Sequence, residues 1–264
     1  MKGLVYLMST SIQLKQMLAS INRKSYPAYK SLKGSYDFGT HVLTIDHVQG
    51  DPFASPSHLS VRVSGRQAGF PDFCFASSDT RIALQDLILR KFEEQIRSYS
   101  FRAKGSGKSG LITSTVCGQE ILERTACEIT TKEVILRFCV GFPANGRTIN
   151  AQELEKILFD FLPVCVKKAL YYKNLNPKEV EAAIFLAEDQ AYIRKELKKR
   201  NLAAFVADNA ILPRQSGISQ KPMKNSVSFS SPASLRVEMQ LPHKGTITGM
   251  GIPVGITLIA GGGY

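Results

Sequence analysis

The chain has 264 residues, with 34 Lys and Arg against 22 Asp and Glu, a formal net charge of +12. At 44% hydrophobic and 21% charged it holds enough apolar material for a real core, which excludes a disordered polyelectrolyte. No run approaches the ~20 apolar residues of a membrane span, so no membrane partner is expected, and Met1 to Tyr6 lacks the pattern of a signal peptide. The basic excess favours polyanionic partners such as nucleotide phosphates or nucleic acid. Cys74, Cys117, Cys127, Cys139 and Cys165 form no C-x-x-C pair, and His41, His47, His58 and His243 lack H-E-x-x-H spacing. These patterns predict a reduced cytoplasmic protein without a metal site.

The helical spacing of Ile12, Leu14, Met17, Leu18 and Ile21 predicts a helix over Ser11 to Ile21, ended by Pro27. Tyr36 to Ile45 and Leu59 to Val63 read as strands, with a turn-rich loop over Asp46 to Pro56 between them. Asp79 or Thr80 is expected to cap a helix over Arg81 to Ser98, whose apolar face is Ile82, Leu84, Leu87, Ile88, Phe92 and Ile96. Leu111 to Cys117, Glu120 to Ile129 and Glu133 to Val140 read as an antiparallel meander. Asn150 should cap a helix from Ala151 to about Tyr172, kinked near Pro163, and Pro177 should open another to about Arg200. Ala203 to Val206 reads as a short buried strand, and Asp208 to Pro232 as a structured loop or linker. Leu235 to Leu241, Thr246 to Ile252 and Ile256 to Ala260 complete the expected strands.

Several clusters bear on chemistry. Gly105-Ser106-Gly107-Lys108-Ser109 contains G-K-S, but Arg102 stands where the Walker A spacing requires the first glycine. The loop also precedes a strand, not the helix N-terminus that holds phosphate in such motifs. It reads either as a connecting loop or as a nest in which Ser106, Gly107, Lys108 and Ser109 contact phosphates in another way. Asp46, His47 and Asp51 resemble a metal or acid–base cluster, but Asp46 and Asp51 flank the turn Gln49-Gly50, and Asp before Pro is ordinary turn chemistry. The run Arg194 to Arg200 reads as a solvated helix end, with nucleic-acid contact the second reading. Arg214, in Leu212 to Gly217, reads equally as a phosphate contact or a plain surface loop residue.

The last residues are an apolar β-run followed by Gly261-Gly262-Gly263-Tyr264. That order opens a phosphate-binding loop, with Gly261 as its first glycine and the lysine and hydroxyl residue falling beyond Tyr264. A plain glycine-rich tail is the other reading. A phosphate loop requires residues 256–260 to pair as a strand.

Long segments in order carry a family resemblance. Ile45 to Ser57, Gly105 to Gly110, Gly118 to Thr125, Val140 to Arg147, Ile211 to Gly217 and Thr248 to Pro253 resemble the predicted ATPases of the ABC class, over almost the whole chain. The resemblance implies an N-terminal module followed by an ABC-type core that opens with an antiparallel β-subdomain. It implies ATP with Mg as cofactor in the full-length family, and a Walker A like G-G-G-Y-H-G-K-S-T, of which Gly261, Gly262, Gly263 and Tyr264 match the first four positions. His243 is the nearest residue to an adenine-stacking aromatic. The expectation is therefore an α+β chain: an antiparallel sheet with packed helices, then a partial ABC-type β-subdomain. The module spans 1–207, a linker 208–232, and the start of the core 233–264. The chain is expected to be truncated inside Walker A, to carry no catalytic residue and to hydrolyse no ATP alone. Its partners are then nucleotide, a missing C-terminal ATPase portion or a second copy. The alternative is an RNA-binding module with a basic surface.

Overall fold

The computed structural model describes residues 8–258 and 260. It divides into two compact units, Met1–Cys117 with Ile121–Val180, and Gly118–Glu120 with Glu181–Tyr264. The class is α+β, as expected.

In the first unit, strand β1 (Ser9–Thr10) runs into helix α1 (Ser11–Ile21). The Thr10 hydroxyl accepts the Gln13 N–H at 3.3 Å while the Gln13 side chain accepts the Thr10 N–H at 2.7 Å. This reciprocal cap satisfies donors the first helical turn would otherwise leave open. Where one strand was expected over Tyr36 to Ile45 there are two, β2 (Gly34–Asp37) and β3 (Val42–His47), paired antiparallel. The Asp37 carboxylate accepts the Gly39 N–H at 2.6 Å, and Gly39 takes φ 75°, which glycine adopts without strain. Strand β4 (Ser57–Ser64) follows, then the short helix α2 (Gly65–Ala68) and the long helix α3 (Ser78–Tyr99). The cap of α3 is Ser77, with Thr80 as its reciprocal partner rather than the cap itself. Its buried stripe shifts accordingly: Ala83 and Leu89 are buried, Ile82 and Leu87 only partly.

The expected meander is reduced. Strands β5 (Ile112–Thr113) and β6 (Cys127–Ile129) pair with opposite ends of one edge of β7 (Glu133–Val140), and residues 114–126 leave the sheet. Side chains of that excursion bind α3 instead. Arg124 donates to Asp86, which also accepts Arg90 at 2.6 Å, and Arg81 pairs with Glu123 at 2.9 Å. Asp86 is 4% exposed, so its charge is held by these guanidinia and not by water. A small hairpin, β8 (Ala144–Asn145) and β9 (Thr148–Ile149), leads to helices α4 (Ala151–Glu155) and α5 (Leu162–Ala169). Asn150 caps α4 as expected. A π-helical stretch, Lys156–Phe161, joins the two just before Pro163, whose missing N–H cannot sustain the α-helical ladder. Helix α6 (Pro177–Lys199) follows, and the division between the units falls within it.

The sheet runs β1-β2-β3-β4-β7-β5, with β6 also on β7. Helix α3 packs on α5 and against β5 and β6, and Phe92 meets Phe138 at 5.4 Å between centroids. The opposite sheet face is polar and open. Ser35, Thr44, Asp46, Ser60 and Arg137 help line a cavity of about 730 Å³ there. Period-two alternation in β4 sends Leu59, Val61 and Val63 inward and His58 and Arg62 outward.

The second unit holds β10 (Leu202–Ala207), a separate ribbon of β11 (Arg214–Ser216) and β12 (Ser219–Pro222), then β13 (Arg236–Leu241) and β14 (Gly245–Pro253). Strands β10 and β13 flank β14 in an antiparallel sheet, so the strands expected over 235–252 are joined by β10, which precedes them in the chain. Strand β10 is half-buried rather than buried. The stretch read as a loop over 208–232 contains the ribbon. The strand expected over Ile256 to Ala260 does not form across 256–258. Ile256 and Leu258 are exposed, and among the described residues no strand pairs with them.

Two predictions follow from the packing of the first unit. Asp86→Ala should cost about 3 kcal/mol in urea unfolding, because it strands partly buried guanidinia. His41 is 3% exposed, its Nε2 has no hydrogen-bond partner, and burial pushes its pKa from 6.5 to about 4, against an opposing pull from Asp37. The folded pKa is depressed, so the unfolded chain binds the extra proton. Stability is full above about pH 6.5 and falls as pH drops toward 4. His41→Phe, which keeps the stack on Phe38, should flatten the stability profile over that window in thermal melts at stepped pH.

Candidate nucleotide-phosphate site

The G-K-S loop lies between α3 and β5, and its polar groups are largely spent on the protein. Ser106 N–H donates to the Ala144 carbonyl at 2.8 Å, Lys108 N–H to Pro52 at 2.8 Å, and Gly110 N–H to Gly141 at 2.9 Å. Ser109 N–H and Oγ both reach the Ser106 carbonyl, and the same Oγ accepts the Ala144 N–H at 3.1 Å. Ser106 Oγ accepts the Gly146 N–H at 2.9 Å. Gly107 approaches the Pro52 carbonyl so closely that a Cβ would sit 2.5 Å from its oxygen. The loop is a joint between residues 48–57 and 141–147. Ser106, Gly107, Lys108 and Ser109 meet there around carbonyl oxygens. The half-buried Lys108 ammonium makes no ion pair among the described residues.

Gln49 completes the joint. It is 1% exposed, its Oε1 accepts Ser57 N–H at 3.1 Å and Phe142 N–H at 3.2 Å, and its Nε2 donates to Asp51 O at 3.0 Å. Asp51 accepts the Phe53 N–H at 3.0 Å and pairs with Arg147 at 2.6 Å, and these contacts hold its carboxyl below the usual range. Asp46 instead accepts from Ser60 at 3.0 Å, and His47 faces His58 at 5.5 Å between ring centroids. The three members of the Asp46, His47, Asp51 cluster thus have separate partners, and the turn reading is the one the contacts bear out. Among the described residues no group of three His, Cys, Asp or Glu side chains is placed to hold a metal.

In the second unit, Glu196 pairs with Lys199 at 2.7 Å and Arg200 at 3.5 Å, so part of the basic helix end is neutralised internally. Arg214 is exposed on β11. His243 lies at the β13–β14 turn, where its ring stacks on Phe185 at 4.1 Å and 5° and its Nε2 meets Glu188 at 2.5 Å. Asp189 accepts the backbone N–H groups of His243 and Lys244, both at 3.0 Å. One face of the His243 ring is therefore already covered. Phe185, Glu188 and Asp189 were not singled out from the sequence, although their i, i+3, i+4 spacing places them on one helix face.

Gly261, Gly262, Gly263 and Tyr264 lie outside the described residues. The segment before them leaves β14 at Val254, whose N–H donates to the Asn201 carbonyl at 3.1 Å.

The family described as ATPase of the ABC class, N-terminal, matches residues 11–173, and a P-loop domain family of ABC ATPases matches residues 176–264. A search of the curated proteins finds no match. Between them the two family matches run from the start of α1 to the terminal glycines, in the order that the motifs imply. The chain belongs to the ABC-class ATPases, with their N-terminal domain followed by sequence of the P-loop domain.

Proposed function

We propose that this chain is the N-terminal part of a non-transporter ABC-class ATPase; the strand that a phosphate turn at Gly261 to Tyr264 requires is not formed across 256–258, so the reading rests on the family match and not on that turn. The observation that carries the reading is the P-loop domain family match over residues 176–264. Backbone N–H groups of a glycine turn cradle phosphates, but phosphoryl transfer also needs a lysine, a Mg²⁺ ligand and a helix N-terminus. After Gly261 the 264 residues contain neither lysine nor hydroxyl side chain other than the Tyr264 phenol. On this reading the 264 residues by themselves hydrolyse no ATP, and Mg-ATP is the ligand that the P-loop family match suggests. The five free cysteines, three of them buried, fit a reducing cytoplasm. Among the described residues no helix is long and apolar enough to cross a membrane.

The test is a pair of proteins. The 264-residue chain should show no phosphate release above blank and no thermal shift with Mg-ATP. A chain extended by H-G-K-S-T and the following domain sequence should gain a shift that grows with ATP as RT ln(1 + [L]/Kd), about 2.7 kcal/mol at 100 times Kd. Turnover that copurifies with the shorter chain through successive columns would end the proposal.

A second reading, a nucleic-acid-binding module, is favoured by the +12 charge. Affinity of the full chain for an oligonucleotide should then fall linearly on a log–log plot against salt, with a slope near −0.9 per phosphate neutralised on a duplex. A flat salt profile would remove that reading.

A further inference from the structure

The β11–β12 ribbon is unlike the rest of the second unit. Among the described residues its two strands pair with each other and with no other strand, and every residue but Ser219 is exposed. Between Asn209 and Leu235 the sequence has no Asp or Glu but has Arg214, Lys221 and Lys224. None of these three makes an ion pair among the described residues. Gln215, Ser216, Ser219 and Gln220 complete the strands, residue types that contact phosphate and sugar. Ile218 sits at the turn and is 101% exposed.

Charge and shape select the occupant. Gln119 donates to the Gln220 carbonyl, but Arg214 and Lys221 on the strands and Lys224 two residues beyond make no ion pair among the described residues, and such a stretch attracts a polyanion. A two-stranded ribbon fits a nucleic-acid groove. The ribbon itself carries no aromatic side chain, so it lacks the stacking platforms that bind single strands. An exposed isoleucine at the tip matches the aliphatic wedges that minor-groove proteins press between base steps. We infer that the β11–β12 ribbon is a nucleic-acid arm that enters the minor groove of a duplex, with Arg214, Lys221 and Lys224 on the phosphates and Ile218 as the wedge. This rests on the nucleic-acid reading above and assigns it a place in the molecule.

The test uses the full chain, fluorescent DNA and RNA duplexes of about two helical turns, and the matching single strands. Arg214→Ala/Lys221→Ala/Lys224→Ala should lower the salt slope by about 2.7. Raising salt from about 50 to about 200 mM should then cost the wild type about 40-fold more affinity than the triple variant. Ile218→Ser should keep the wild-type slope but reduce the duplex bend read by end-to-end energy transfer. All four sites are exposed, and circular dichroism checks the fold. The DNA and RNA arms identify which duplex is bound. An unchanged slope in the triple variant, or an unchanged bend in Ile218→Ser, overturns the arm while leaving the general nucleic-acid reading standing. Equal binding of single strands, or binding of phosphatidylserine vesicles in place of duplexes, also overturns it. No binding of any nucleic acid by the wild type removes both.

Discussion

Backbone donors in the loops at one end of the first unit all need acceptors, and the chain meets that need by binding the loops to one another. Pro52, Ala144 and Gly141 offer carbonyls to Lys108, Ser106 and Gly110, while Gln49 supplies its side-chain amide to Ser57, Phe142 and Asp51. An unpaired buried amide would cost about 1–3 kcal/mol, so this exchange fixes where each loop lies. The glycines follow from it. A Cβ on Gly141 would fall 1.7 Å from the Lys108 carbonyl oxygen, and one on Gly110 would fall 2.0 Å from that of Ala103. Those contacts are backbone, which cannot swing aside. The same accounting explains why a sequence containing G-K-S does not make a phosphate nest of the usual kind: much of its donor capacity is directed at protein oxygens.

Much of the architecture was legible because it rests on local signals. Asn150, Pro177 and the period of Leu14, Leu18 and Ile21 mark helices through caps and spacing, and the structure keeps them. The misses come from long-range partners. Residues 114–126 carry β-forming side chains, yet Arg124 and Glu123 have carboxylate and guanidinium partners on α3, which a window of neighbours cannot reveal. The hairpin at Phe38 to His41 was marked by Asp37-Phe38-Gly39, a short turn signal masked by apolar residues on both sides. In the candidate site, His243 was visible as an aromatic in the right region, but the Phe185 ring that covers it lies more than fifty residues away in sequence.

The two readings of function draw on different parts of the chain. The nucleotide reading rests on family membership. The nucleic-acid reading rests on charge, and charge alone is weak evidence because many surface cations are neutralised. Lys199 and Arg200 illustrate this: both turn to Glu196. Arg147 turns to Asp51 and Arg137 to Glu128. The ribbon differs because its sequence neighbourhood contains no acid to consume its cations.

The segment after β14 connects these strands to the glycines, and its chemistry argues for a neighbour. Ile256 and Leu258 alternate with Gly255 and Thr257, the period of a strand, yet both side chains lie in solvent. Leaving such a side chain exposed forgoes about 1.5–3 kcal/mol that burial would return. Two residues apart, they share one face, which a single packed layer would cover. Among the described residues, then, Ile256 and Leu258 carry an apolar face that the β10-β14-β13 sheet does not cover.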